Sequence, residues 1–172
     1  MSLAADPKSI RAVILDVDGV LTDGRIGYGP VPGEIKFFDV KDGHAIKLMQ
    51  RAGLQVGVLS GRRSEANRQR CAELGLDFAY EGEKNKGDGL EKLLQERGLK
   101  GEECLYVGDD LIDLPPMRRC GIAVAVGDAV AEVAAEADWT TRAGGGRGAV
   151  REMAEWLLKQ QEKWADVTRR YF

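Results

Sequence analysis

The chain has 172 residues, 44% hydrophobic and 31% charged, which is enough for one substantial core. A formal charge of −3 argues against a nucleic-acid or anionic-membrane surface as the main partner, and no run approaches the roughly 20 apolar residues of a membrane span. The N-terminus lacks a basic-then-apolar signal, which points to a cytoplasmic location. Cys71, Cys104 and Cys120 are odd in number and lack metal-like spacing, so they read as small buried hydrophobes in a reducing compartment.

Residues 10–15 form a short β-branched run, the first of the strands predicted at 11–16, 55–59, 77–80, 104–107 and 122–126. It ends abruptly in Asp16-Val17-Asp18-Gly19-Val20-Leu21-Thr22-Asp23. Side chains at i and i+2 of an extended segment point the same way, so Asp16 and Asp18 leave the strand together. Ligands in open α/β sheets bind outside the carboxyl ends of the strands. On its own, the pair reads equally as a divalent-metal site or as a strand-end acid capping the next turn. Residues 25–38 then predict a β-hairpin with Gly29-Pro30-Val31-Pro32-Gly33 as its turn. Helical patterns follow at 43–52, 63–75, 87–97 and 113–119, and Gly53, Gly75 and Gly98 close the first three. This alternation predicts an α/β fold, a Rossmann-like doubly wound parallel sheet with helices on both faces. The hairpin is an insertion after the first strand, and residues 1–172 form a single domain.

Two more strand ends carry polar clusters. In Ser60-Gly61-Arg62, the hydroxyl and nearby backbone N–H groups can hold phosphate oxygens, although a serine here serves equally as an ordinary N-cap. In Gly108-Asp109-Asp110-Leu111-Ile112-Asp113, the crowded acids are costly unless they bind a cation or pair with lysine. An all-carboxylate shell suits a hard, oxygen-liganded ion, Mg²⁺ above all, and the sequence offers neither the cysteine pair nor the histidine cluster of a zinc site. Lys84 and Lys86 can neutralise such a cluster or simply sit solvated at a helix start. The single histidine, His44, follows Lys41-Asp42-Gly43 and reads as facing solvent or a pocket rim. Residues 140–148 read as a flexible basic loop, 148–163 as an amphipathic helix, and 164–172 as an aromatic, basic surface segment.

Taken in order, Asp16-Val17-Asp18-Gly19-Val20-Leu21-Thr22-Asp23, Ser60-Gly61-Arg62, Lys86 and Gly108-Asp109-Asp110-Leu111-Ile112-Asp113 resemble the four motifs of the haloacid dehalogenase-like phosphohydrolases. The resemblance runs from residue 10 to about residue 155. It implies that Asp16 is the nucleophile that becomes an aspartyl phosphate, and that Asp18 is general acid and then general base. Ser60 would bind the phosphoryl group, and Lys86 would neutralise it and orient Asp16. Asp109 would complete a Mg²⁺ site with Asp16 and the backbone carbonyl of Asp18. Asp110 would be ligand or support, and Asp113 would support the site from near Lys86.

The stretch between Asp23 and Ser60 leaves no room for a cap domain, so a second subunit is expected over the site. That layout, with Lys41-Asp42-Gly43, Arg70-Cys71 and the segment Gly145 to Glu152, is similar to the capless, tetrameric 3-deoxy-D-manno-octulosonate 8-phosphate (KDO 8-phosphate) phosphatases of lipopolysaccharide biosynthesis. The similarity implies a homotetramer with a central barrel of hairpins, in which a C-terminal segment reaches the neighbour's site. It also implies a phosphorylated sugar-acid substrate, recognised by Lys41, Gly61, Arg62, Arg70, Arg142, Gly145 and Gly146. Lys41 stands where arginine is common in these enzymes, so a nine-carbon sialic-type substrate or broad specificity is an alternative. A different class, the receiver domain phosphorylated on aspartate, also clusters acids and a lysine on a parallel sheet. Receivers lack an acid two residues after the nucleophile.

Overall fold

The computed structural model describes residue 3, residues 5–29 and residues 33–172. After a 3₁₀ turn at Pro7–Ser9 comes β1 (Ala12–Leu15), buried along its whole length. β2 (Gly27–Tyr28) and β3 (Glu34–Ile35) pair antiparallel as a separate two-stranded sheet, and the predicted turn at Pro30, Val31 and Pro32 lies outside the described residues. Then follow α1 (Val40–Arg51), β4 (Gln55–Ser60), α2 (Glu65–Leu74), β5 (Phe78–Glu81), α3 (Lys86–Arg97) and β6 (Cys104–Gly108). The chain continues through α4 (Leu114–Met117), β7 (Ile122–Ala125), α5 (Ala131–Glu136), β8 (Trp139–Thr140), α6 (Ala149–Gln160) and α7 (Trp164–Thr168).

The main sheet has six parallel strands in the order β5-β4-β1-β6-β7-β8. Period-2 alternation divides its core into two layers. Val13, Leu15, Val56, Val58, Leu105 and Val107 pack with α1 and α6 on one face, whereas Ala12, Ile14, Leu59 and Tyr106 pack with α3 and α4 on the other. Leu15 is in register with Val58 on one side and Val107 on the other. Chain direction across the sheet reverses at β1, so the residues after β1, β4 and β6 open into one crevice at the switch point. Among the described residues no helix is long and apolar enough to cross a membrane.

Several predicted elements shift. The helix expected from residue 43 begins at Val40, because the Asp39 side chain accepts from the backbone N–H of Lys41 at 2.6 Å and caps it earlier. Gly43 is therefore inside a helix, where a Cβ would overlap the guanidinium of Arg70 from α2. Three elements have no counterpart among the predicted ones: α5, Ala-rich with only Val133 buried, the two-residue β8, and α7 within the segment expected as a surface tail. The C-terminal helix expected at 148–163 is α6, which ends at Gln160. The tail is folded onto the body, with Val167 buried and its carbonyl accepting from Arg51 Nη1 at 2.7 Å. His44 is half-buried against this tail, its Nε2 lying 2.9 Å from the Tyr171 hydroxyl. Burial and the charges of Arg151, Arg51 and Arg170 hold its pKa below the ordinary value.

The glycine-rich segment expected to be flexible is pinned instead. Gly145 N–H donates to Asp128 Oδ1 at 2.8 Å and Gly146 N–H to the Val20 carbonyl at 2.9 Å. A Cβ at Gly145 would overlap the carbonyl oxygen of Gly19, so only glycine allows this approach. The Asp42 carboxylate accepts from the backbone N–H groups of Gly148 (3.2 Å) and Arg151 (2.7 Å), capping α6 from α1. Trp139 and Trp156 lie with ring centroids 5.2 Å apart, and Arg151 and Lys159 each flank the Trp164 ring at 5.4 Å. The three cysteines are free, and burial pushes Cys71 up to about 11 and Cys104 to about 12, which suits inert packing groups.

Candidate active site

The crevice at the switch point holds a cavity of about 270 Å³, lined by Asp16, Asp18, Gly24, Ser60, Gly61, Arg62, Asp109, Asp110 and Ile112. Asp16 leaves the end of β1 into its floor. Lys86 opens α3, where the Asn85 side chain caps the helix by accepting from the N–H groups of Gly87 and Asp88. The Lys86 side chain is fully buried, with Nζ 2.7 Å from Asp16 Oδ1 and 2.6 Å from Asp113 Oδ1. Burial alone would lower the pKa of this ammonium, but the charges of Asp16 and Asp113 outweigh it and hold it above the ordinary value.

Asp113 is saturated. Its Oδ1 also accepts from the buried Tyr106 hydroxyl at 2.7 Å, and its Oδ2 accepts from the N–H groups of Asp109 (3.0 Å) and Asp110 (3.3 Å). Asp109 differs, because its buried Oδ1 has no hydrogen-bond partner. Carboxylate oxygens of Asp16, Asp109 and Asp113 lie within 4.8 Å of one another. Burial raises Asp16 to about 6 and Asp109 to about 8; the neighbouring carboxylates add to both, and Lys86 opposes both. One ammonium is therefore too little charge for this cluster. A hard divalent cation shared by Asp16 and Asp109 fits it, supplying the missing partner of Asp109 and relieving the repulsion. The Asp18 carboxylate is not in this group. Asp110 lines the cavity while its Oδ1 caps the turn at Leu111–Asp113, accepting from Leu111 N–H at 2.7 Å. Ser60 is buried, and its Oγ accepts from the Arg62 N–H at 3.3 Å.

Not every residue singled out in the sequence converges here. Lys41 is exposed in the first turn of α1. Arg70 lies over the Phe38 ring at 5.6 Å, paired with Glu73 at 3.0 Å, and lines a separate cavity of about 310 Å³ with Phe37 and Gln69. Arg142 has a side chain 95% exposed and pairs with Glu152 at 3.4 Å. Gly145 and Gly146 brace the Gly19–Thr22 loop from behind rather than line the cavity.

The sequence also hid one group. Lys36, just after β3, has a fully buried side chain whose Nζ lies 2.6 Å from Asp18 Oδ1, 3.0 Å from Asn67 Oδ1 and 3.6 Å from Glu34 Oε2. Arg62 makes a hydrogen-bonded ion pair with Glu34, and its Nε lies 3.7 Å from Asp18 Oδ2. The only hint in the sequence is the alternation Glu34-Ile35-Lys36, which puts both charges on one side of the strand.

A buried carboxylate held by lysine, an acid pair open to a cation, and a hydroxyl with backbone donors at the switch point of a doubly wound sheet define a site for phosphoryl transfer. A haloacid dehalogenase-like hydrolase family model matches residues 34–121, a span with Ser60, Lys86 and Asp109 that starts after Asp16 and Asp18. The chain is 43% identical over 159 residues to the 3-deoxy-D-manno-octulosonate 8-phosphate phosphatase KdsC of Escherichia coli (strain K12), covering 92% of this chain and 85% of that one. The phosphatase of that name from Moraxella catarrhalis, solved in complex with magnesium, phosphate and KDO, superposes with a TM-score of 0.94 at 33% identity, over 97% of this chain and 96% of that one. A cobalt-bound form from Haemophilus influenzae gives a TM-score of 0.89 at 42% identity, covering 93% and 94%. The chain belongs to the haloacid dehalogenase-like hydrolase family.

Proposed function

We propose that this protein is a Mg²⁺-dependent phosphatase that hydrolyses KDO 8-phosphate to KDO and phosphate through an aspartyl phosphate on Asp16. The observation that carries the reading is the buried Lys86 bridge between Asp16 and Asp113, beside an Asp109 oxygen left without a partner. It holds Asp16 as a fixed nucleophile in a site that calls for a further cation. The relatives named for this reaction supply the substrate.

Asp16 attacks phosphorus, and Asp18 gives a proton to the leaving sugar oxygen. Asp18 then takes a proton from the water that hydrolyses the aspartyl phosphate, which splits one difficult step into two. Ser60 and the backbone at Gly61 hold the phosphoryl oxygens, and Lys86 offsets their charge. Asp16, Asp109 and the backbone carbonyl of Asp18 would hold Mg²⁺, which would supply further neutralisation of the phosphoryl oxygens. Asp113 acts through Lys86, and Asp110 shapes the rim.

Of the expected recognition residues, Gly61 and Arg62 line the same cavity, and Arg62 brings the charged side chain. Lys41, Arg70 and Arg142 lie outside it, so they can bind the sugar acid only across an interface with another copy. Tyr28 (76%), Phe37 (77%) and Val40 (80%) expose large apolar surface around the hairpin, which supports self-association as a homotetramer. Phosphate release from KDO 8-phosphate with Mg²⁺, measured beside Asp16→Asn, tests the reading. The variant should lose on the order of 10³-fold or more in turnover. Undiminished release would remove Asp16 from the mechanism, and a preference for simple phosphate esters would remove the substrate. Sedimentation of the active protein as a monomer would remove the tetramer.

A further inference from the structure

The hairpin does more than offer an exposed apolar surface. Glu34 on strand β3 and Lys36 just after it turn inward, where they reach two residues of the cavity wall, Arg62 and Asp18. Burying an ammonium is costly unless oxygen partners surround it, and Lys36 has Asp18 at 2.6 Å, Asn67 at 3.0 Å and Glu34 at 3.6 Å. Asn67, on α2, is itself buried. The Asp18 carboxylate is thus fastened through one oxygen only. Its Oδ2 has no hydrogen-bond partner, with Arg62 Nε 3.7 Å away.

We infer that Lys36 is a positioning residue for the reaction: with Asn67 behind it, it fixes Asp18 Oδ1 so that Oδ2 is the oxygen that exchanges protons with the leaving group. The inference rests on the phosphatase reading above. In the first half-reaction an Asp16 oxygen forms a bond to phosphorus and the ester P–O bond breaks. Its electron pair stays on the leaving oxygen, which takes the proton from Asp18 Oδ2. A carboxylate that has lost its anchor at Oδ1 rotates, and its proton meets the leaving oxygen less often. Misplacement of this kind costs rate without removing the acid itself.

Leaving-group dependence separates this role from a structural one. A sugar alkoxide cannot depart without a proton, whereas p-nitrophenolate can. The ratio kcat/KM reports the steps up to departure of the leaving group, and so excludes the later hydrolysis of the aspartyl phosphate. With Mg²⁺ present, Lys36→Met should therefore lose at least about tenfold in kcat/KM for KDO 8-phosphate, a fraction of the roughly 10²–10⁴-fold worth of general acid catalysis. For p-nitrophenyl phosphate it should stay within about threefold of the parent, the pattern that loss of proton donation alone produces. Asn67→Ala keeps the lysine and removes its neutral partner, so it should show the same selectivity to a smaller degree. It also serves if Lys36→Met does not fold, as judged by thermal melting. Equal losses for both esters in a folded variant, or no loss for either, would overturn the role of Lys36 and leave the phosphatase reading standing. Failure of the parent protein to hydrolyse either ester would instead overturn that reading.

Discussion

Two buried lysines anchor carboxylates that line one cavity, Lys86 holding Asp16 and Lys36 holding Asp18, from different supports. Lys86 opens a three-turn helix packed on the sheet, and the carboxylates it joins are 5% and 0% exposed. Lys36 follows a two-residue strand outside the main sheet, and its two acidic partners are each 18% exposed. Both ammonium groups are equally buried, but the cost of losing them is not equal. The Lys86 carboxylates have little water to fall back on, whereas Asp18 and Glu34 retain Arg62 and a partly wet rim. A buried charge is as indispensable as its partners are dry.

The sharpest way to break this contrast is to remove each lysine in turn. Lys86→Met should cost about 3–5 kcal/mol of stability, because it leaves two buried acids uncompensated. It should also slow phosphate release by on the order of 10²–10³-fold. Lys36→Met should cost about 1–3 kcal/mol. Urea denaturation of both variants measures the difference, and equal losses would mean that exposure of the partners does not matter.

Metal-free protein tests the Lys86 side in another way. Asp16 (about 6) and Asp109 (about 8) have pKa values raised above those of an unfolded carboxylate, so between roughly pH 4 and pH 8 the folded state holds more protons than the unfolded one. Stability should therefore fall as pH rises through that window and level off above it. Added Mg²⁺ should remove most of this slope, and at a hundredfold excess over its dissociation constant should contribute about 2.7 kcal/mol. Melting temperatures across pH with Mg²⁺ and with a chelator measure both effects. A metal-free protein that gains stability from pH 6 to pH 8 would contradict the assignment.

Two smaller effects sharpen the comparison. Tyr106→Phe removes the hydroxyl that holds Asp113 beneath Lys86 and should cost about 1.5–3 kcal/mol in urea denaturation, the range for a hydrogen bond to a charged group. Asp42→Ala uncaps α6 away from both lysines. It should cost about 0.5–2 kcal/mol in the same measurement and leave kcat/KM unchanged.

The parts of this arrangement legible in the sequence are those written in consecutive residues. Apolar runs ending in acids located β1 and β6, while their pairing, with Leu15 beside Val107 so that Asp16 and Asp109 leave neighbouring strand ends, comes from the structure. The resemblance to a known family singled out Lys86 through its place before a helical run. Lys36 was illegible for a different reason. Its partners are Asp18 on the far side of the hairpin and Asn67 on α2, and no local pattern encodes that convergence. The first turn of α1 was misplaced because Gly43 reads as a helix boundary, whereas close approach of Arg70 is what requires it. Arg70 itself lies over the Phe38 ring beside a separate cavity. The glycine segment looked mobile by composition, but its small residues are what let it lie against Gly19.

The placement of the tryptophans has a practical consequence for anyone who watches this protein unfold by light. All three, Trp139, Trp156 and Trp164, sit on β8, α6 and α7, at one end of the chain. Intrinsic indole emission therefore reports the C-terminal third alone and is blind to the hairpin, where Tyr28 is a chromophore of another kind. Detachment of the hairpin, with loss of the Lys36 anchor, would leave the fluorescence trace flat while far-ultraviolet circular dichroism barely changed. A tryptophan introduced at Tyr28 gives that region its own signal, and coincidence of the two transitions then decides whether hairpin and sheet unfold as one unit.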